Sequence, residues 1–334
     1  MSIIPQEVPT GAIRFNTESN RMECFNGTKW YQISVNSPDL DGGARGVWGG
    51  GNNPTKDNTI QYITISSTGN ATDFGDLLYQ QGKPFALGSR TRGIFSGGYT
   101  PSAETDINYI TFSSTGNAVA FGDTAEGRWA ASTCSNNTRG IFAGGASPAQ
   151  TNIIDYITIA QTGNAVDFGD LTIKKSHTVG GMSNGTRGVV AYSGNIDPTG
   201  NQANIDFITI PTLGNAQDFG DCEVPRHTVN CVSNSIRGLA GGGLDPAVTA
   251  VIDYLTIAHT GNSTSFGDLT TARRSASACS SSIRALWGGG GSPSVVDTID
   301  YVTIMTEGNA VDFGNLTSIR ESSSACSNAH GGLG

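Results

Sequence analysis

Hydrophobic and small residues recur along this chain in a unit of about 47 residues. A Phe-Gly pair marks each of six copies, and their phenylalanines are spaced 47, 47, 51, 47 and 47 residues apart. A repeat of this length, with four short strands and paired glycines, is typical of a β-propeller blade. The pattern predicts an all-β fold with six four-stranded blades. The marking residues are Phe74, Phe121, Phe168, Phe219, Phe266 and Phe313.

Each unit divides into four predicted strands, A to D. In the last complete unit, Arg273–Cys279 is a strand A of small residues, Arg284–Gly290 is strand B and Ile299–Ile304 is strand C. Strand C is apolar on both faces, as expected for a blade packed between two neighbours. A Gly-Asn pair then predicts the turn into strand D, because glycine adopts the positive φ of a tight hairpin. The Phe-Gly pair is expected to end strand D.

The ends of the repeat region are offset from the blade. The chain enters the repeats at a strand B, Arg45–Gly51, and finishes with a strand A over residues 322–329. We expect these two segments to pair, so that the C-terminal strand completes the first blade and closes the ring without an open edge. Residues 41–334 are therefore predicted to form one propeller domain.

Residues 1–40 lie outside the repeats. Apolar residues alternate with polar ones around Ile13 and Phe15, Asn26-Gly27 is a hairpin signal, and Thr28–Ile33 is predicted to be a strand. Together these features indicate a small three-stranded meander. A meander of this size buries too little surface to be stable alone. We predict that it is an anchoring or oligomerisation module. Its anchoring side chains are predicted to be Ile13, Phe15, Phe25, Trp30 and Tyr31.

Composition narrows the class of partner. The net charge is -9 and only 14% of residues are charged, so basic surface for nucleic acid or anionic membranes is scarce. No signal peptide and no transmembrane run is recognised. We expect neither nucleic-acid binding nor membrane insertion. Cys134, Cys279 and Cys326 share one register, and we expect them to be reduced, because equivalent positions in different blades are too far apart for a disulfide.

Recognisable catalytic motifs are lacking in the sequence. The Asp-Phe-Gly triplet occurs in four of the six units, at Asp73, Asp167, Asp218 and Asp312, without the other kinase motifs. The four histidines have no Ser, Asp or Cys partner pattern, so we assign them a structural role. We therefore expect a protein that is not an enzyme and has no cofactor or metal. Paired aspartates such as Asp167 with Asp170, or Asp218 with Asp221, leave calcium as an alternative to turn capping.

Two sets of cations recur at fixed positions. The first set starts strand B, and its uniformity predicts a structural brace that donates to carbonyls of the next blade. Its members are Arg45, Arg92, Arg139, Arg187, Arg237 and Arg284. The second set precedes strand A. Its members are Lys83, Arg128, Lys174, Lys175, Arg226, Arg273, Arg274 and Arg320.

The second set has two interpretations. Its members could pair with the preceding strand-end aspartates, Asp76, Asp123, Asp170, Asp221 and Asp268. Alternatively they stand exposed around one mouth of the channel and bind an anionic glycan, with Trp129 offering an apolar surface to a sugar ring. The second interpretation gives a candidate ligand-binding set. It contains Arg128, Trp129, Lys174, Lys175, Arg226, Arg273, Arg274 and Arg320.

The connections between strands fall into two groups. The A–B and C–D turns hardly vary between units, whereas the B–C and D–A connections vary widely, the longest covering residues 193–204. Antiparallel strand order places each group on its own face of the propeller. Variable loops on a rigid scaffold usually carry recognition, so we expect binding on the B–C and D–A face, called the variable face below.

The repeats resemble the kelch family. The shared features are a small innermost strand, a strand B that ends in double glycine, a Tyr in strand C and an aromatic residue in strand D. Here strand D has Phe where kelch repeats usually have Trp, and the fourth unit replaces the double glycine with Ala191-Tyr192-Ser193-Gly194.

Other strings resemble structural proteins of tailed bacteriophages, notably cyanophages. These strings are Gly11-Ala-Ile-Arg-Phe-Asn, Met22-Glu-Cys-Phe-Asn-Gly-Thr-Lys-Trp and the repeated Thr-Gly-Asn-Ala-x-Asp-Phe-Gly. The resemblance implies a virion protein, assembled in the bacterial cytoplasm, and our leading hypothesis is a protein of the tail-fibre type. It implies attachment to other virion proteins through residues 1–40, a homo-oligomer such as a trimer, and a propeller that binds a host surface glycan or receptor. The alternative is a capsid or tail decoration protein with a purely structural role.

Overall fold

The computed structural model describes residues 8–16, 21–32, 44–177, 180–192, 194, 200–291 and 293–333. The chain divides into two compact units, Met1–Asp41 and Gly42–Gly334. The described residues form an all-β, propeller-like fold with seven antiparallel sheets and no α-helix. One of the seven is a three-stranded sheet in the first unit, so the sheets outnumber the six predicted blades by one. None of the described segments is a helix long and apolar enough to cross a membrane.

The N-terminal sheet contains three consecutive strands, Ile13–Asn16, Arg21–Phe25 and Trp30–Gln32. The second turn forms at Asn26-Gly27, where the Asn26 side chain accepts the backbone N–H of Thr28 at 3.0 Å and Gly27 has φ +97°. A positive φ of this kind favours glycine. The last strand ends earlier than predicted, at Gln32, and Ile33 lies outside the described residues.

Six sheets, numbered 1 to 6 in chain order, make up the second unit. The A strands are Ser324–Ser327, Phe85–Gly88, Ser132–Ser135, Met182–Ser183, Asn230–Ser233 and Ser277–Ser280. The B strands are Arg45–Gly49, Arg92–Ser96, Arg139–Ala143, Arg187–Val190, Arg237–Gly241 and Arg284–Gly288. The C strands are Thr55–Thr64, Asp106–Thr111, Ala149–Thr158, Asn204–Thr209, Val251–Thr256 and Thr298–Thr303. The D strands are Thr72–Gln81, Val119–Asp123, Val166–Lys175, Gln217–Asp221, Thr264–Asp268 and Val311–Asn315.

Two details of the strands differ from the prediction. Sheets 1 and 3 each have a fifth, two-residue strand, Asn52–Asn53 or Ala146–Ser147, because the B–C connection folds back onto strand C. The Phe-Gly pair lies inside strand D instead of ending it. The pairing shifts by one residue there, so that Phe121 sits at a β-bulge opposite strand C.

The last strand pairs with the first strand of the second unit. Ser324–Ser327 and Arg45–Gly49 are antiparallel neighbours in sheet 1, as predicted from the offset ends. The Asn328 side chain accepts the backbone N–H of Arg45 at 2.8 Å, and within sheet 3 Asn136 makes the same bond to Arg139, also at 2.8 Å. The A–B turn geometry is thus kept where the chain is not continuous.

Adjacent sheets meet through glycine backbones. A Cβ on Gly75 in sheet 1 would stand 2.5 Å from the carbonyl oxygen of Gly116 in sheet 2, so a side chain is excluded there. The side chain of the following Asn117 accepts the backbone N–H of Asp76 at 3.1 Å. The Gly-Asn pairs therefore join sheets as well as forming turns.

The arginines that start strand B brace the sheets as predicted. Each donates to a main-chain carbonyl of the next sheet. The acceptors, for Arg45, Arg92, Arg139, Arg187, Arg237 and Arg284 in turn, are the carbonyl oxygens of Phe112, Ile159, Ile210, Ile257, Ile304 and Ile65. The last of these bonds runs from sheet 6 to sheet 1.

The core lies between the sheets. Buried residues form six clusters, such as Val47, Phe74, Phe95 and Phe112 between sheets 1 and 2. The three cysteines that share a register are free and buried, as predicted. Cys279 shows how closely the sheets pack, because its sulfur faces Gly46 of the adjacent sheet, where a Cβ would stand 2.5 Å away.

The tail after the last strand packs among the A–B turns. His330 is half-buried, and its Nε2 donates to the carbonyl oxygen of Gly88 at 2.8 Å while Nδ1 accepts the backbone N–H of Gly332 at 3.2 Å. A short 3-10 helix, Gly331–Leu333, follows and is buried. This end of the space between the A strands is therefore filled by the chain itself.

Deletion of residues 321–334 tests the pairing of the two ends. It removes the innermost strand of sheet 1 and leaves the Arg45–Gly49 strand as an open edge. We expect the shortened protein to aggregate or to lose its cooperative thermal transition, measured by circular dichroism. Deletion of residues 1–40, which removes no strand of the six sheets, is the matched control. Equal melting temperatures for the 321–334 deletion and the full chain would contradict the pairing.

Candidate functional site

The second set of cations is mostly buried, so the predicted exposure is wrong for five of its members. The five are Arg128, Lys175, Arg226, Arg273 and Arg320. Each points into the sheet whose strand A follows it in the chain and forms an ion pair there. The partners are Asp155, Asp206, Asp253, Asp300 and Asp57, respectively. These carboxylates lie in strand C, so the alternative pairing with strand-end aspartates is also not observed.

The Arg273–Asp300 pair shows why these positions are structural. The guanidinium nitrogen lies 2.7 Å from the carboxylate, and the same group donates to the carbonyl oxygens of Trp287 and Thr298 at 3.1 and 3.0 Å. Burial lowers the pKa of Arg273, and the Asp300 carboxylate opposes that effect. The pair ties the start of strand A to strands B and C and leaves no surface for a ligand.

The charges at these two positions change together between repeats. In sheets 3 to 6 the cation stands seven residues after the marker Phe of the preceding repeat, and the aspartate stands 13 residues before the marker Phe of the sheet itself. At these two positions sheet 2 has Gln81 and Asn108, both fully buried. Sheet 1 has Arg320 with Gln61, and the nearby Asp57 supplies the carboxylate. The joint change is expected for a buried pair, because an unpaired buried charge is strongly destabilising.

The other predicted ligand residues divide between two places. Lys174 is exposed on the D strand of sheet 3, away from the A strands. Arg274 is exposed and Trp129 is half-buried, and both lie in the D–A connections. Trp129 packs under the Lys83 ammonium, 4.5 Å from the ring centre, and edge-on to His177 at 4.8 Å.

Trp129 occupies a repeat position that holds a different residue type in each of the six units. The residue eight positions after each marker Phe bridges to the B–C connection of its own sheet. These residues are Glu321, Gly82, Trp129, Ser176, His227 and Arg274 for sheets 1 to 6. The D–A and B–C connections therefore meet on one face, as predicted for the variable face, although residues 195–199 of its longest connection lie outside the described residues.

The next residue in each repeat adopts a left-handed backbone. The six φ values lie between +51° and +61°, at Ser322, Lys83, Ala130, His177, Thr228 and Ser275. Backbone hydrogen bonds link neighbours in this series, for example from the N–H of Lys83 to Ser322 at 2.9 Å and from Ser322 to Ser275 at 3.0 Å. Non-glycine residues rarely adopt this conformation, and such strain is concentrated at functional sites.

A cavity of about 410 Å³ opens on the variable face at these two registers. Its volume falls in the range of about 300 to 1,000 Å³ that is usual for small-molecule sites. Apart from Gly194 and Leu244, every lining residue has a polar or charged side chain. It consists of Lys83, His177, Gly194, His227, Thr228, Leu244, Arg274, Ser275, Glu321 and Ser322.

The two histidines are held by neighbouring side chains. Asn201 Oδ1 lies 3.0 Å from Nδ1 of His227, so Nδ1 carries the proton and Nε2 remains for a ligand. Nδ1 of His177 lies 2.9 Å from the Ser176 hydroxyl. Burial lowers the pKa of His177 to about 4, with Lys83 and His227 adding to the shift. Burial also lowers the pKa of His227. Both imidazoles are therefore neutral at pH 7.

Sequence reasoning found only part of this site. Arg274 and Trp129 belong to the predicted ligand set, whereas Lys83 belongs only to the second set of cations. His177 and His227 were assigned structural roles, yet they line the cavity. The signal that could have found them is the variation at two consecutive repeat positions, eight and nine residues after the marker Phe, in an otherwise uniform frame.

The predicted anchoring residues occupy two faces of the N-terminal sheet. Ile13, Phe15 and Tyr31 are exposed on one face, as the strand pairing requires. Phe25 and Trp30 stack on the other face at 5.3 Å between ring centres, where Arg14 lies 4.1 Å over the Trp30 ring. The first face is therefore the better candidate for docking.

Neither a search for metal-binding side chains nor a comparison with known proteins assigns a role to this site. Among the described residues, no group of three or more His, Cys, Asp or Glu side chains is placed to hold a metal ion. Comparison with protein-family models and with curated proteins found no match.

Substitution at the Arg273–Asp300 pair tests its structural role. We expect Arg273→Gln to lower the free energy of unfolding by about 3 to 5 kcal/mol, because Asp300 is left buried and unpaired. Arg273→Gln with Asp300→Asn should recover most of that loss, because it copies the neutral Gln81 and Asn108 of sheet 2. Urea unfolding followed by tryptophan fluorescence measures both.

The adjacent Arg274→Gln is the matched control. Its side chain is exposed, so the expected change is within about 0.5 kcal/mol. A double variant as unstable as the sum of the two single variants would show that the ion pair is not the reason for the loss.

Proposed function

We propose that this protein is a bacteriophage virion structural protein of the tail-fibre type, without enzymatic activity, whose variable face binds the host cell surface. Its second unit is a closed six-bladed kelch-like propeller, and residues 1–40 attach it to other virion proteins or to further copies of itself. The observation that carries the binding role is the cavity on the variable face. It is lined by unlike side chains on a frame that otherwise repeats.

The closed ring is supported by contacts that recur six times. The Arg284 brace from sheet 6 to sheet 1 has the same geometry as the braces between consecutive sheets. The Asn70 side chain accepts the backbone N–H of Asn315 at 3.0 Å, which repeats the Asn117 contact with Asp76. A ring joined in this way has no free sheet edge between its first and last blades.

The anchoring role is supported by the exposed apolar face of the N-terminal sheet. Ile13 is 61% exposed and Phe15 is 54% exposed, on a sheet of only three short strands. Such a sheet requires packing against another surface for stability. Self-association, for which the phage resemblance suggests a trimer, or docking on another virion protein would supply it.

The alternative is a capsid or tail decoration protein that binds no host molecule. One observation favours it over the original glycan hypothesis. Five of the eight predicted ligand residues are buried in ion pairs and cannot contact a glycan. The binding proposal therefore depends on the cavity and its rim rather than on a basic ring.

Adsorption of the purified full chain to host cells tests the binding role. We expect Trp129→Ala and Arg274→Ala, both on the variable face, to lower adsorption several-fold without loss of stability. Ile283→Ser is the matched control, because Ile283 is 63% exposed in an A–B turn of the opposite face. Fluorescently labelled protein and flow cytometry measure the bound fraction. No adsorption by the full chain would favour the decoration protein.

Incorporation into particles tests the anchor. We expect protein lacking residues 1–40 to stay soluble as a monomer and to be absent from purified virions, because the exposed apolar face is gone. A milder variant, Ile13→Ser with Phe15→Ser, should lower incorporation as well. Arg14→Gln, on the other face, is its control. Normal incorporation of the truncated protein would contradict the anchor.

A further inference from the structure

We propose that the cavity on the variable face binds a sugar that carries a carboxylate, and that binding becomes tighter as the pH falls. This inference rests on the binding role proposed above and specifies its ligand class. The chemistry comes from three parts of the cavity wall: two cations, one carboxylate with hydroxyls, and two imidazoles.

The cations are Lys83 and Arg274. Both line the cavity, and within the described part of the chain neither forms an ion pair of the kind that occupies the buried arginines. Burial lowers the pKa of Lys83, which Arg274 reinforces and the Glu321 carboxylate opposes. An incoming carboxylate would relieve the repulsion between the two cations and would accept charge-assisted hydrogen bonds from both.

The second part of the wall selects a sugar over a bare anion. Glu321 lies next to the cations in the ring of sheets, and the side chains of Thr228, Ser275 and Ser322 also line the cavity. A carboxylate accepts hydrogen bonds from sugar hydroxyls but repels an anion that has no donors. The wall therefore fits a ligand with an acidic group at one side and hydroxyls at the other.

The imidazoles make the site sensitive to pH. His177 faces Lys83, Trp129 and His227, and His227 faces Arg274, Lys83 and Asp245. Without a ligand, burial and the neighbouring cations favour the neutral rings. A bound carboxylate favours the charged rings, so the histidine pKa values rise on binding. Binding then takes up protons and tightens as the pH falls from about 6.5, the ordinary histidine pKa, toward 4.

Isothermal titration of the full chain with three probes tests the ligand class. The probes are sodium glucuronate, glucose, which lacks the carboxylate, and sodium sulfate, which lacks the hydroxyls. We expect glucuronate to bind at least about tenfold more tightly than either, equivalent to about 1.4 kcal/mol. Undetectable glucuronate binding, equal glucose binding or equal sulfate binding would each overturn the proposal.

Matched variants test the residues. Arg274→Gln and Lys83→Asn should each weaken glucuronate binding about tenfold. Asparagine is used because it tolerates the left-handed backbone at Lys83. Glu321→Gln should strengthen sulfate binding. Lys174→Gln removes the same charge from an exposed position outside the cavity and should change nothing. Equal losses in Lys174→Gln and Arg274→Gln would assign the effect to net charge and overturn the site.

The pH dependence has its own control. Glucuronate binding by the unmodified chain should tighten about tenfold from pH 7.5 to 5, which corresponds to a rise in the pKa of His177 from about 4 to about 6 on binding. The double variant His177→Asn with His227→Gln should lose this slope, and persistence of the slope would overturn the role of the pair. Host adsorption without glucuronate binding would refute this inference alone. Glucuronate binding without host adsorption would refute the proposed function alone.

Discussion

The close approach of glycine backbones between neighbouring sheets is the constraint on which the second unit depends. At Gly75 and Gly314 alike, a Cβ would stand 2.5 Å from a carbonyl oxygen of the next sheet. Only at this separation can the asparagine that follows the second glycine reach across and accept a backbone N–H. The strand B arginines cross the same joint in the opposite direction, because each donates from its own sheet to a carbonyl oxygen of the next sheet. The same type of joint recurs between consecutive sheets, and the contacts of Gly314 with sheet 1 have the same form.

This rigidity explains how the residues around the cavity keep an unfavourable, left-handed backbone conformation. A non-glycine residue in the left-handed region costs about 1 to 3 kcal/mol, and the repeat contains one in every unit. Ser322 bonds through its N–H to Ser275, and its carbonyl accepts from Lys83, so it is fixed from both neighbouring sheets. The backbone hydrogen bonds therefore fix the direction of the side chain at this position, whereas the residue type differs between repeats.

The sequence was sufficient for the features that repeat and insufficient for those that depend on burial. The Phe-Gly spacing, the Gly-Asn turns and the strand B arginines lie at fixed intervals, so their roles follow from periodicity. Arg273 also repeats, but its carboxylate partner lies 27 residues away in strand C, and charge alone suggested an exposed residue. The paired change to Gln81 and Asn108 in sheet 2 was the available signal. The cavity depends on residues that do not repeat, and periodicity says nothing about those.

The cavity on the variable face holds two of the few cations that have no structural role elsewhere in the chain. Of 19 lysines and arginines, six brace the joints and five lie in buried ion pairs, in a chain whose net charge is -9. Few cations are left to act at the surface, and two of them, Lys83 and Arg274, meet at one cavity. Lys83 is half-buried, which weakens the screening of its charge by solvent and salt, so a ligand in the cavity experiences more of its field than that of a fully exposed lysine. An acidic protein can in this way offer one site to an anion while its remaining surface repels anions.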